Sequence, residues 1–140
     1  MITYFDTSSL LKFIMREIGS EETRCIWSLS NEKVCSHLTR TEMQSALMRK
    51  VREGSVPASA VPAHLGALDR LFADVILIDI TSDVIDASCE LVKEFPLKSA
   101  DAIHLATALM VRADLFSSSD KKLCTAASES GIAVTDPTEG

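Results

Sequence analysis

The sequence predicts an α/β fold, with a mainly parallel central sheet of about four or five strands covered by helices on both faces. Three observations carry that expectation. Short β-like runs alternate with helical periodicity along the chain. The run from Val75 to Ile78 is continuous, apolar and largely β-branched, the pattern of a strand buried on both faces. No linker, low-complexity segment or internal repeat interrupts the 140 residues, so residues 1–140 read as a single domain.

The elements follow in order. Ile2 to Phe5 reads as a short strand ending at Asp6, and Thr7 to about Ile18 as a helix with Leu10, Leu11, Ile14 and Ile18 at helical spacing. Gly19 breaks it, and Ser20 can cap a second helix reaching about Leu29. Lys33 to Ser36 is a brief strand. A long helix from about Thr39 to Glu53 then places Met43, Ala46, Leu47 and Val51 on one face and stops at Gly54. Residues 57–73 read as a further helix, Pro57 suiting its first turn and Pro62 kinking or splitting it. After the Val75 strand, Thr81 or Ser82 starts a helix to about Glu94, and Pro96 stops it. Ser99 caps a strongly apolar helix from Ala100 to about Arg112. Leu115 to Ser117 is a strand leading to Asp120, where a helix begins that ends at Gly131. Ile132 to Val134 is the last strand, before Asp136-Pro137 turns the chain into a short tail.

Composition narrows the class. A hydrophobic fraction of 46% and a charged fraction of 24% are those of an ordinary globular protein. No apolar run approaches the roughly 20 residues needed to cross a membrane, and no leader pattern opens the chain, so a cytoplasmic location is expected. Cys25, Cys35, Cys89 and Cys124 are scattered without a C-x-x-C pair, which predicts free thiols acting as small buried hydrophobes. The net charge of −6 argues against bulk electrostatic binding of nucleic acid. Two divalent cations among four of the acids would bring that balance to about −2.

In open parallel sheets the ligand crevice lies beyond the carboxyl ends of the strands. Asp6 closes the first strand and Asp120 follows a later one, while Glu42 and Asp101 lie in the first turns of two helices. Each has a structural reading of its own. Acids favour helix N-termini, Asp120 suits a helix cap, and Thr39-Arg40-Thr41-Glu42 fits a capping box in which Glu42 reaches back to the Thr39 N–H. Together they suit a different role, because clustered carboxylates repel one another unless hard cations such as Mg²⁺ or Mn²⁺ lie among them. His104 shares a helical stripe with Asp101, and a packed or hydrogen-bonded role is expected for it.

Four segments carrying these acids resemble the PIN-domain family, and within it the VapC-type toxins: Tyr4-Phe5-Asp6-Thr7-Ser8-Ser9-Leu10, the helix start from Thr39 to Glu42, Ala100-Asp101-Ala102-Ile103-His104-Leu105-Ala106-Thr107-Ala108, and Ser118-Ser119-Asp120-Lys121-Lys122-Leu123. Gly131 to Pro137 is similar to the family's last strand. The resemblance implies a three-layer α/β/α fold and a ribonuclease dependent on Mg²⁺ or Mn²⁺. Asp6 and Asp101 would be metal ligands, Glu42 and Asp120 would complete the site or activate water, and Ser8 and Ser118 would support them. Ser118 stands where the family usually has Thr, which keeps the hydroxyl. The resemblance also implies a homodimer held inactive by a small antitoxin protein.

Lys12, Arg16, Arg40, Lys98, Lys121 and Lys122 lie near these acids in sequence and are candidate contacts for an RNA backbone. With Trp27, Tyr4 and five Phe as its aromatic residues, the chain shows no base-stacking platform, so the RNA is not specified. Two other classes compete with the nuclease. A phosphoacceptor signalling domain would need an early acidic pair and a late Lys-Pro, which are missing although Asp79 closes a strand. A PIN-like module that binds RNA without cutting it would leave all four acids without a purpose.

Overall fold

The computed structural model describes residues 1–15 and 18–139. Its organisation starts from strand β1 (Ile2–Phe5), whose Tyr4 and Phe5 are both fully buried on opposite faces, as the two-residue period of a strand requires. Burying one such ring contributes about 1.5–3 kcal/mol, so β1 anchors a core on each side. Strands β2 (Glu32–Ser36), β3 (Ile76–Ile78), β4 (Leu115–Ser117) and β5 (Ala133–Thr135) join it in one parallel sheet of order β3-β2-β1-β4-β5. The register sets Tyr4 opposite Val34 on one side and Phe116 on the other.

The described helices are α1 (Thr7–Ile14), α2 (Ser20–Leu29), α3 (Leu38–Arg52), α4 (Val61–Ala73), α5 (Ser82–Glu94), α6 (Ser99–Met110) and α7 (Lys121–Glu129). Tyr4, Val34 and Phe116 pack with Leu91 of α5, Leu105 of α6 and Leu123 of α7 on one face. Phe5 and Cys35 pack with Leu10 of α1, Met43 and Leu47 of α3 and Leu68 of α4 on the other. The result is the three-layer α/β/α arrangement with a parallel sheet of five strands that the sequence predicts. None of the described helices is long and apolar enough to cross a membrane.

Several local expectations are corrected. The Val75 run is not a doubly buried strand: β3 lies at the sheet edge, with Ile76 47% exposed, because the strand order leaves it one neighbour. Of the two roles expected of Pro62 the structure shows the split and not the kink: a 3₁₀ turn at Ala58–Ala60 is followed by α4, and Pro62 sits in the first turn of that helix. Ser20 and Ser99 are the first residues of their helices and not the caps, which are Gly19 and Lys98. The Ser20 hydroxyl donates to the Lys12 carbonyl. Among the thiols only Cys35 is buried; Cys25 and Cys89 are exposed and Cys124 is half-buried, though all four are free. Helix α1 is described to Ile14; residues 16 and 17 of the predicted helix, Arg16 among them, lie outside the described residues.

Because all five strands run the same way, their carboxyl ends share one edge. Asp6, the Ser36-His37 turn and the Ser118–Asp120 segment are delivered there by β1, β2 and β4.

Candidate active site

Asp6 leaves β1 in an extended conformation and caps α1, its Oδ1 accepting from the Ser9 N–H at 3.1 Å. The same oxygen accepts from Ser8 Oγ at 2.6 Å, and Oδ2 accepts from Ser118 Oγ at 2.7 Å. Burial pushes the Asp6 carboxyl above its ordinary value, against the Ser8 and Ser118 hydrogen bonds that favour the anion. Each serine also receives a backbone donor from the β4–α7 turn: Ser119 N–H to Ser8 Oγ at 2.9 Å, and Asp120 N–H to Ser118 Oγ at 3.0 Å. The two expected supporting hydroxyls therefore both reach Asp6 and join the turn after β1 to the turn after β4.

Asp120 is exposed and caps α7 through Oδ1 and the Leu123 N–H at 3.1 Å. Asp101, in the first turn of α6, is half-buried, and among the described residues no group hydrogen-bonds to its carboxylate. Burial pushes its proton affinity up, and so does the charge of Asp120, with Asp6 and Glu42 adding to it. Asp101 thus lies within the field of the other three acids, which come from three other segments.

Glu42 does not close a capping box. Helix α3 begins earlier than that reading requires, so Thr39 is inside the helix and His37 is the cap. Glu42 instead crosses to the neighbouring elements, where Oε1 accepts from Thr7 Oγ1 at 2.7 Å and lies 2.5 Å from His104 Nε2. Burial opposes its ionisation, but the His104 and Thr7 contacts outweigh that and hold Glu42 below the usual carboxylate range. His104 is buried, with Nδ1 2.6 Å from the Tyr4 hydroxyl, whose oxygen accepts from the Ser36 N–H at 3.1 Å. His104 has the packed, hydrogen-bonded position expected of it. Tyr4 and Thr7 escaped the sequence reading; the available signal was a tyrosine in a doubly buried strand, whose hydroxyl needs a partner.

Hard carboxylate oxygens are the donor chemistry that Mg²⁺ and Mn²⁺ prefer, and an unpartnered acid surrounded by like charges is where such a cation is most stabilising. Among the described residues, no three histidine, cysteine or acidic side chains form a ready-made cation cage. The fit to a metal is thus one of donor type and charge, with Asp101 and the outer oxygens of Glu42 and Asp120 lacking protein donors among the described residues.

The basic candidates separate. Lys12 is 3% exposed, with Nζ donating to the Ser8 carbonyl at 2.9 Å, so it lies beneath the Asp6 turn and not on a surface open to RNA. Lys121 is exposed and paired with Glu139, whose hydrogen bond and charge raise its pKa. Lys98 is exposed at the start of α6, three residues before Asp101. Arg40 is exposed and lines a groove of about 560 Å³ between α3 and α4, with His37, Arg52 and Phe72.

The PIN-domain family model matches residues 3–129. The chain is 31% identical to ribonuclease VapC46 of Mycobacterium tuberculosis (strain ATCC 25618 / H37Rv) over 136 residues, 96% of each protein. Its fold is similar to that of Mycobacterium tuberculosis VapC20, described as a Sarcin-Ricin loop cleaving toxin, with a TM-score of 0.70 at 18% identity over 94% of this chain and 96% of that one. It is similar also to a chain in a toxin-antitoxin complex from Klebsiella pneumoniae, with a TM-score of 0.69 at 21% identity over 96% of this chain and 97% of that one. A match over nearly the whole length, together with acids gathered at one edge of a five-stranded parallel sheet, places this chain in the PIN-domain family.

Proposed function

We propose that this chain is an endoribonuclease that hydrolyses RNA phosphodiester bonds with a divalent cation, Mg²⁺ or Mn²⁺. We further propose that it is the cytoplasmic toxin of a toxin–antitoxin pair, acting as a homodimer and restrained by a small antitoxin protein. The observation that carries the catalytic reading is Asp101, a half-buried carboxylate without a hydrogen-bond donor among the described residues and under the repulsion of Asp120, Asp6 and Glu42. The naming of VapC46 as a ribonuclease supports the reaction, and the Klebsiella pneumoniae complex supports an antitoxin partner.

In this reading Asp6, Asp101, Glu42 and Asp120 hold the cation. When bound, it supplies charge stabilisation to a phosphodiester oxygen and acidifies a water. The chain's own residues prepare that site. Ser8 and Ser118 fix both oxygens of Asp6, so its orientation is set before any ligand arrives. Thr7 and His104 keep Glu42 ionised and turned toward the other acids' edge of the sheet. Four carboxylates alone repel an RNA backbone, which makes the cation a condition of binding as well as of chemistry. Lys98 and Arg40 are free of ion pairs among the described residues and serve as backbone contacts, whereas Lys121 must first leave Glu139.

Purified protein is expected to cleave total cellular RNA with Mg²⁺ or Mn²⁺ and to lose that activity in excess chelator. Asp101→Asn is expected to abolish cleavage with the circular dichroism spectrum unchanged. Cleavage that persists in chelator overturns the mechanism; RNA retention without cleavage by wild type replaces it with a binding module.

A further inference from the structure

Glu42 is the one acid of the four whose position is set from both sides of the sheet. Its own helix, α3, packs against the face that carries Phe5, while His104 belongs to α6 on the face that carries Tyr4. Oε1 takes two contacts, from Thr7 at 2.7 Å and His104 at 2.5 Å, and Oε2 has no partner among the described residues. Behind the imidazole stands Tyr4, fully buried, its ring stacked on Phe116 at 5.3 Å and 4°. The Ser36 N–H donates to the phenol oxygen, so the phenol's own proton is directed to His104 Nδ1. That donation leaves Nε2 as the protonated ring nitrogen, facing Glu42. In the opposite arrangement Nδ1 would donate to the phenol, leaving a buried hydroxyl proton without an acceptor.

We propose that Tyr4 and His104 are positioning residues: a chain running Ser36 N–H, Tyr4, His104, Glu42 holds Oε1 of Glu42 and leaves Oε2 as the single oxygen it offers to the cation. This rests on the reading of the four acids as a cation site. Tyr4 acts at two removes from the cation, from a core strand and not from the site itself, and orients an imidazole that in turn orients the ligand. Thr7 holds the same oxygen from the start of α1, so the chain has one arm through the sheet and one over its edge.

The test is Mn²⁺ binding to RNA-free protein by calorimetry, with the His104 ring nitrogens read by two-bond ¹H–¹⁵N correlation in chelator at one fixed pH. Wild type is expected to show Nε2 protonated and Nδ1 bare. Tyr4→Phe keeps the ring and its stack, and is expected to weaken Mn²⁺ about 10-fold. His104→Leu is expected to weaken it at least as much, and His104→Gln, whose amide can donate where Nε2 did, to restore most of the loss. In a Glu42→Gln background Tyr4→Phe is expected to change nothing further. Unchanged Mn²⁺ affinity in Tyr4→Phe, or an equal loss with and without Glu42, overturns the relay while the cation site stands. Absence of Mn²⁺ binding by wild type overturns the cation site and the proposal together.

Discussion

Ser118 donates its hydroxyl proton to Asp6 Oδ2 at 2.7 Å, across the seam between β4 and β1. The Ser118 hydroxyl oxygen in turn accepts the Asp120 N–H, so one small buried side chain serves two of the four acids. Removing it leaves Asp6, itself only 5% exposed, underpaired. Ser118→Ala is therefore expected to destabilise the metal-free protein by about 1–3 kcal/mol, the range for leaving a buried polar group without its partner. Urea unfolding in chelator measures this, and a midpoint equal to that of wild type contradicts it.

The four thiols differ in reach. Burial pushes Cys35 up to about 12, and burial aided by the charge of Asp136 pushes Cys124 up to about 11. Thiolate is the reactive form, so both are expected to be slow. Cys25 and Cys89 are exposed. An aromatic disulfide reagent at about pH 8 is expected to modify Cys25 and Cys89 promptly, and Cys35 and Cys124 only after denaturant is added. Peptide mapping of the labelled protein identifies which residues react; early labelling of Cys35 would show that the core beneath β2 opens readily.

The features that sequence revealed and those it concealed differ in range. Alternating strand and helix periodicity is local, and so is an acid at the end of a strand, which is why the α/β class and the gathering edge were legible. Strand order is not local: the Val75–Ile78 run has the composition of an inner strand, yet the β3-β2-β1-β4-β5 order gives it one neighbour. The role of Glu42 was hidden for the same reason. Its capping-box spacing is a local signal, whereas its partners Thr7 and His104 are 35 and 62 residues away. Lys12 beside Asp6 in sequence suggested a phosphate contact, but the helix rotates it inward to the Ser8 carbonyl. His104 looked like one polar residue on an apolar helix until Tyr4, 100 residues earlier, supplied its partner.

Arg112 ends α6 in a left-handed conformation, φ 55°, where glycine is the usual residue. Its N–H bonds to the Leu109 carbonyl, and that of Ala113 to the Ala108 carbonyl, the paired closure of a Schellman motif. Ala108 and Ala113 are both buried, so the turn is fixed by the core and Arg112 must accept its backbone. A side chain in that region costs roughly 1–2 kcal/mol, of which the greater freedom of glycine in the unfolded chain cancels part. Arg112→Gly is expected to stabilise the protein by about 0.5–1 kcal/mol in chemical denaturation. A loss of stability would mean that the arginine side chain makes a contribution its exposed position does not suggest.

Asp101 sets function against stability, and the sign of that opposition can be measured by pH. Burial, then Asp120, raise its native proton affinity, so the folded metal-free protein keeps this proton to a higher pH than the unfolded chain does. Below the ordinary carboxylate range both states are protonated and Asp101 is neutral in its effect. As pH rises through the interval between the unfolded value and the raised native one, the unfolded state releases its proton first and stability falls; above that interval the whole penalty is present. Glu42, held low by His104 and Thr7 against its burial, runs the other way, adding stability that is lost as pH falls through its native value. Comparing wild type with Asp101→Asn isolates the first contribution. In chelator the variant is expected to match wild type at about pH 3 and to exceed it increasingly toward pH 7. In Mg²⁺ with RNA the same variant is expected to lose about 100-fold or more in rate, the scale of several kcal/mol of lost charge stabilisation. A variant less stable than wild type at neutral pH in chelator would show that the Asp101 carboxylate has a protein partner after all, and would remove the strongest reason for placing a cation there.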